Sequence, residues 1–127
     1  MTERRNDGDP GVRRMPSLSL RIDLDPGGRI GPGKIALLEQ IAALGSISAA
    51  ARNMDMSYKR AWDLVEAMNR MFGKPVVSAQ TGGKKGGGAQ LTPVGLEIVS
   101  RFRAIERAAE SAAEQHMAAL QAEVAAA

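Results

Sequence analysis

The chain has 127 residues, 17 Lys and Arg against 14 Asp and Glu, and no cysteine, so it fits one domain and builds neither a disulfide framework nor a thiolate metal site. A net charge of +3 is too small to argue for nucleic acid by itself, and one Trp, one Tyr and two Phe weaken any scheme in which bases stack on an aromatic platform. No apolar run approaches the roughly 20 residues of a membrane span, and the polar start lacks the apolar centre of a signal peptide, so a cytoplasmic protein is expected, neither exported nor inserted.

Residues 1–16 mix charge, Gly and Pro without an apolar period and read as a disordered arm whose arginines can brush phosphate. From Ser17 to Asp25, Leu18, Leu20, Ile22 and Leu24 alternate with polar neighbours, the period of a half-buried strand, which ends in Pro26, Gly27 and Gly28. Ile35, Leu38, Ile41 and Ala42 then fall at helical spacing, with Leu37 and Leu44 pointing elsewhere, so this helix is expected to be covered on two sides. Gly45 stops it, and Ser46 caps a short second helix over Ile47 to Asn53, where Ala49, Ala50 and Ala51 let a neighbour come close.

Met54, Asp55 and Met56 form a connection, and Ser57 caps a third helix that runs to Phe72 before Gly73 and Pro75. Ala61, Val65, Met68 and Phe72 make its core face, while Lys59, Asp63, Glu66 and Arg70 lie opposite. Val76 to Ala79 and Ala89 to Leu91 read as two strands around the glycine-rich basic loop 80–88. Thr92 caps a final helix with Pro93 at its first position. Along that helix Ile98, Phe102, Ile105, Ala109 and Ala112 follow a four-three spacing that suits packing against another helix. The order predicts a mainly α fold with a small β-hairpin: a winged helix-turn-helix over residues 17–92, then a long C-terminal dimerisation helix and tail over residues 93–127.

In a helix-turn-helix the amino-terminal end of the second helix reaches base edges in the major groove. Here that end carries Ser57, Tyr58, Lys59 and Arg60. Arg60 has the fork to read a guanine, and Lys59 suits a phosphate. The opposite charges Lys59 with Asp63 and Glu66 with Arg70 would also suit a plain solvated face; the capped helix upstream and the basic hairpin downstream decide for DNA. Trp62 borders the apolar face and reads as a core anchor. The loop is not a nucleotide-binding loop, because Gly83-Lys84-Lys85 lacks the Lys-Ser/Thr ending and leads into a strand; as a wing, its glycines admit a close duplex and Lys84 and Lys85 neutralise phosphates. The expected double-stranded DNA contacts are Ser46, Ser57, Tyr58, Lys59, Arg60 and Asp63 from the helices and Thr81, Gly82, Gly83, Lys84 and Lys85 from the loop.

Catalysis has little to work with, and no enzyme is expected. His116 is alone without a metal-spaced partner, Asp23 and Asp25 read as exposed strand carboxylates, and Ser46, Ser48 and Ser57 stand at helix starts where capping accounts for them. An interaction module that kept this scaffold without DNA is the competing reading, and a small oxyanion sensor a third.

Leu38 to Gly95 resembles the amino-terminal DNA-binding domain of the ModE family of molybdate-responsive regulators, a relative of the LysR-type winged helix. The resemblance is carried by Gly45-Ser46-Ile47-Ser48-Ala49, Ser57-Tyr58-Lys59-Arg60-Ala61-Trp62-Asp63, Met68-Asn69, Thr81-Gly82-Gly83-Lys84, Gly86-Gly87-Gly88-Ala89, Leu91-Thr92 and Gly95. It implies a homodimer through the first and last helices, recognition helices in successive major grooves, and control, with repression the expected sign, of genes for molybdate uptake or molybdenum enzymes. The contacts expected across the dimer are Ile98, Phe102, Ile105 and Ala109. Molybdate-sensing family members carry small β-barrel domains after the dimerisation helix, where this sequence reaches Ala127. No cofactor is therefore expected on these residues, and a molybdate response would need additional domains or a separate effector-sensing protein.

Overall fold

The computed structural model describes residues 15–80 and 88–125. These residues fall into two compact units, one within Ser19–Glu106 and one of residues 107–125 with residues 15–18.

The larger unit begins with a hairpin of β1 (Ile22–Leu24) and β2 (Gly28–Ile30), paired antiparallel with Ile22 opposite Ile30. The single strand expected over Ser17 to Asp25 is therefore shorter, and Gly28, expected as a breaker, opens a second strand. Ile30 supplies the anchor, at 3% exposure, whereas Leu24 stays 38% exposed.

Helix α1 (Pro32–Leu44) follows and ends at Gly45, whose φ of 69° is the left-handed conformation that a residue without Cβ adopts at least cost. Ile35, Leu37, Leu38 and Ile41 are fully buried. Leu37, off the Ile35–Leu38–Ile41 face, is as fully buried as they are, so the helix is covered on two sides as expected, whereas Ala42 and Leu44 at its end are exposed. Helices α2 (Ile47–Asn53) and α3 (Tyr58–Phe72) occupy the expected spans. Ala50, Ala51 and Ala61 are buried where α2 meets α3, and their small side chains allow the close approach. Between them Asp55 takes φ 57°, a conformation that Asp tolerates better than most residues, and Met56 N–H donates to the Ala51 carbonyl at 3.0 Å to close the turn.

A second hairpin, β3 (Val77–Gln80) with β4 (Gly88–Leu91), pairs Val77 with Leu91 and Gln80 with Gly88. Ala89 N–H donates to the Gly45 carbonyl at 3.0 Å, which ties this hairpin to the α1–α2 junction. Helix α4 runs Pro93–Ala122. The Thr92 hydroxyl oxygen accepts from Gly95 N–H at 3.1 Å and donates its own proton to the Pro75 carbonyl at 2.8 Å, so one side chain caps α4 and fastens it to the segment leading into β3. Val65, Met68, Val76 and Phe102, from α3, the β3 approach and α4, complete the core with the α1 residues. Each such fully buried apolar side chain contributes about 1.5–3 kcal/mol, and no charged or polar residue is buried with them among the described residues. The fold is the mainly α winged helix-turn-helix expected, with a long carboxy-terminal helix and one hairpin more than the sequence pattern gave.

In the smaller unit the distal part of α4 keeps Ala109, Ala113 and Met117 half-buried, whereas Ala112 and His116 are exposed.

Candidate nucleic-acid interface

The α2–turn–α3 unit presents the amino-terminal end of α3. Ser57 sets it: its Oγ accepts from Arg60 N–H at 3.0 Å, satisfying one of the donors that a helix start leaves without a partner. The first turn holds no acidic residue. Side chains that would normally neutralise the positive end of the helix dipole are missing, so that end stays available to an external anion.

Tyr58 is 52% exposed, and Lys59 and Arg60 are exposed beside it. Lys59 Nζ donates to Asp63 Oδ2 at 3.0 Å, with side-chain exposures of 84% and 61%. A pair so exposed is worth a few tenths of a kcal/mol, so the ammonium can be drawn from Asp63 to a phosphate at small cost. Arg60 has no ion-pair partner among the described residues. Ser46 is half-exposed at the start of α2, and its Oγ accepts from Ala49 N–H at 3.0 Å. Ser46 and Ser57 thus cap two consecutive helices, and Tyr58, Lys59, Arg60 and Asp63 stand on the first two turns of the second. Thr81, Gly82, Gly83, Lys84 and Lys85 lie outside the described residues; the strands on either side of them are paired up to Gln80 and Gly88.

Trp62 packs against the core only in part, and its indole N–H donates to the Tyr58 hydroxyl. Beyond the core anchor expected of it, Trp62 thus has a second role, for which the i,i+4 spacing of Tyr58 and Trp62 is the available signal. Glu66 and Arg70, at the same spacing, do not form an ion pair among the described residues.

Of the residues expected between copies, Ile98 is half-buried and Ile105 is 44% exposed. Both line an apolar groove of about 530 Å³ with Ile22, Leu24, Ile30 and Phe72. Phe102 is a correction in emphasis. At 2% exposure it is spent on the chain's own core and offers little surface to a second molecule. No group of His, Cys, Asp and Glu among the described residues is arranged to hold a metal ion, and no described helix is long and apolar enough to cross a membrane.

The chain is 54% identical over 80 residues to the molybdenum-pterin-binding protein MopB of Rhodobacter capsulatus, covering 63% of this chain and 30% of that protein. It is 41% identical over 96 residues to the molybdenum transport protein ModE of Azotobacter vinelandii, covering 76% of this chain and 36% of that protein. With the DNA-binding transcriptional dual regulator ModE of Escherichia coli K12 it shares 44% identity over 71 residues, 56% of this chain and 27% of that one. The chain thus spans about a third of the length of the curated relatives it matches. Among solved structures, the crystal structure of the CbnR_DBD–DNA complex is similar with a TM-score of 0.54 at 19% identity, covering 69% of this chain and 95% of that one, a likeness of fold alone. The description "bacterial regulatory helix-turn-helix protein, lysR family" matches residues 33–96, about half of the chain. With that match, the two capped helices and the hairpin together, the chain belongs to the lysR family of bacterial regulatory helix-turn-helix proteins, a family of regulators and not of enzymes.

Proposed function

We propose that the chain binds double-stranded DNA sequence-specifically as a homodimer and regulates, by repression, genes of molybdate transport or of molybdenum enzymes in the cytoplasm. The observation that carries the reading is the start of α3: a Ser57-capped, acid-free turn that exposes Tyr58, Lys59 and Arg60 together. Phosphate contacts from such a turn position the protein, and a guanidinium reaching O6 and N7 of guanine specifies the sequence. The molybdenum assignment is supported by the relatives, a molybdenum-pterin-binding protein and a molybdenum transport protein. The dimer is supported by the apolar groove along the first half of α4, where Ile98 and Ile105 stand.

Selection of genomic fragments on the purified chain, followed by sequencing, tests the sequence specificity, the dimer and the molybdenum assignment. It is expected to return a repeated half-site whose two copies lie one helical turn or a multiple apart, the spacing that a two-fold dimer requires, upstream of molybdenum-related genes. Binding must also weaken steeply as salt rises. Fragments without a common half-site, or binding indifferent to salt, would leave the scaffold as a protein-interaction module instead.

A further inference from the structure

The far end of α3 carries a second cationic feature. A cleft of about 330 Å³ opens between the β1–β2 turn, the start of α1 and the last turns of α3, lined among others by Gly27, Gly28, Arg29, Lys34, Arg70 and Met71. Three of its lining residues are cations and none is a carboxylate. In a chain whose charges nearly balance, with 17 basic and 14 acidic residues, a concavity lined by three cations and no carboxylate is a locally positive surface.

The local bonding keeps those cations available. Arg29 spends only its Nε, which donates to Asp23 Oδ1 at 3.0 Å, so the two terminal nitrogens of the fork are uncommitted among the described residues. Lys34 Nζ donates to the Arg29 carbonyl at 2.6 Å, which fixes the ammonium beside the turn and leaves it two further protons. Arg70 forms no ion pair with Glu66 and instead lines the cleft. A side chain added at Gly27 would meet nothing within 4 Å, so the backbone there is open to approach.

We infer that this cleft binds a phosphate-type oxyanion, held by Arg29, Lys34 and Arg70. It is a different site from the recognition end, because Arg60 and Arg70 are separated by about 15 Å along the axis of α3. The same chemistry comes from two sources, a backbone phosphate of bound DNA or a free oxyanion. Only the first rests on the DNA-binding reading.

The experiment has two arms, each with the full chain and with Lys34→Gln, Arg70→Gln and Arg107→Gln, the last an exposed arginine that does not line the cleft. In the first, amide chemical shifts are followed during titration with inorganic phosphate. Saturable shifts at Gly28 to Lys34 and at Arg70, weakened about tenfold by Lys34→Gln and by Arg70→Gln but not by Arg107→Gln, establish a free-oxyanion site. In the second, binding of a short mixed-sequence duplex is measured against salt. A slope of log K on log salt lower by about 0.9 in each cleft variant identifies the occupant as a DNA phosphate. Thermal melting checks that the variants fold, with Lys34→Arg and Arg70→Lys as charge-preserving substitutes. Unsaturable shifts shared by all variants, together with unchanged slopes, overturn the inference. A wild-type chain that ignores the duplex overturns the DNA-binding reading, and the phosphate arm then decides the cleft alone.

Discussion

Arg103 on α4 clasps Glu39 on α1 with two parallel hydrogen bonds, Nε to Oε2 at 2.9 Å and Nη2 to Oε1 at 2.6 Å. The same guanidinium donates through Nη1 to Glu106 Oε1 at 2.6 Å. Fork-on-carboxylate geometry fixes direction as well as distance, so this pair locks the first half of α4 onto the helix that carries the core.

The clasp makes stability depend on pH. The hydrogen bonds from Arg103, with its charge, hold the Glu39 carboxyl below the usual value of 4.5, against a smaller opposing effect of burial. A carboxyl depressed in the folded state stabilises it above the unfolded pKa, and that contribution disappears as pH falls through the folded pKa. With side-chain exposures of 34% and 39%, solvent screening limits the pair to about 1 kcal/mol. Glu39→Gln should therefore lower Tm at neutral pH by a few degrees and reduce the further loss on acidification below about pH 4.5. Melting curves across pH check this, and parallel pH profiles for wild type and variant would contradict it.

Gly95 is required by contact, not by conformation. A Cβ built there would run into the Val76 carbonyl oxygen and come within 3.3 Å of the Leu91 Cβ. That carbonyl is already held by Thr92 N–H at 3.1 Å, so relief would have to separate α4 from the segment leading into β3. Gly95→Ala should destabilise by about 1–3 kcal/mol, read as a lower midpoint in urea with an unchanged slope. A midpoint equal to wild type would show that the junction can open without cost.

At the recognition end, neighbouring cations should behave differently. Arg60→Ala should cost about 1–3 kcal/mol on the selected half-site and relax preference at one base position. Lys59→Ala, which removes a phosphate contact, should weaken selected and random duplexes alike and lower the salt slope by about 1. Competition binding on both kinds of duplex separates the two, and equal losses for Arg60→Ala on selected and random DNA would remove it from base readout.

What the sequence revealed of this architecture was what is local. The caps at Ser46, Ser57 and Thr92 were legible because each hydroxyl accepts from an N–H three residues on. The two-sided character of α3 was legible because its period repeats over 15 residues. The β1–β2 hairpin was not, since Gly28-Arg29-Ile30 has no alternation to declare a strand and is held by pairing with β1. Nor could periodicity show that Ala42 and Leu44 stay exposed at the end of α1, because that depends on which neighbour arrives. Glu39 and Arg103 are 64 residues apart, and Arg70 turns to a cleft built by the hairpin that the pattern missed. The DNA-facing half of the reading was thus carried by local signals, and the cleft and the clasp by tertiary ones.

Ile105 separates association from folding. It is 44% exposed on the rim of the apolar groove, whereas Phe102, one turn earlier, is 2% exposed and belongs to the core. A charge at Ile105 stays in water in the monomer but must be buried without a partner if the groove is covered by a second copy. Ile105→Glu should therefore convert a dimer to a monomer in sedimentation equilibrium while the monomer keeps its helical circular dichroism, and half-site cooperativity on DNA should disappear with it. Phe102→Ala, by contrast, should cost about 3–5 kcal/mol of fold stability. Because a dimer's apparent Tm rises with protomer concentration, the concentration dependence of melting gives a second reading: present in wild type, absent in Ile105→Glu. An Ile105→Glu chain that sediments as a dimer would place the contact between copies elsewhere than this groove.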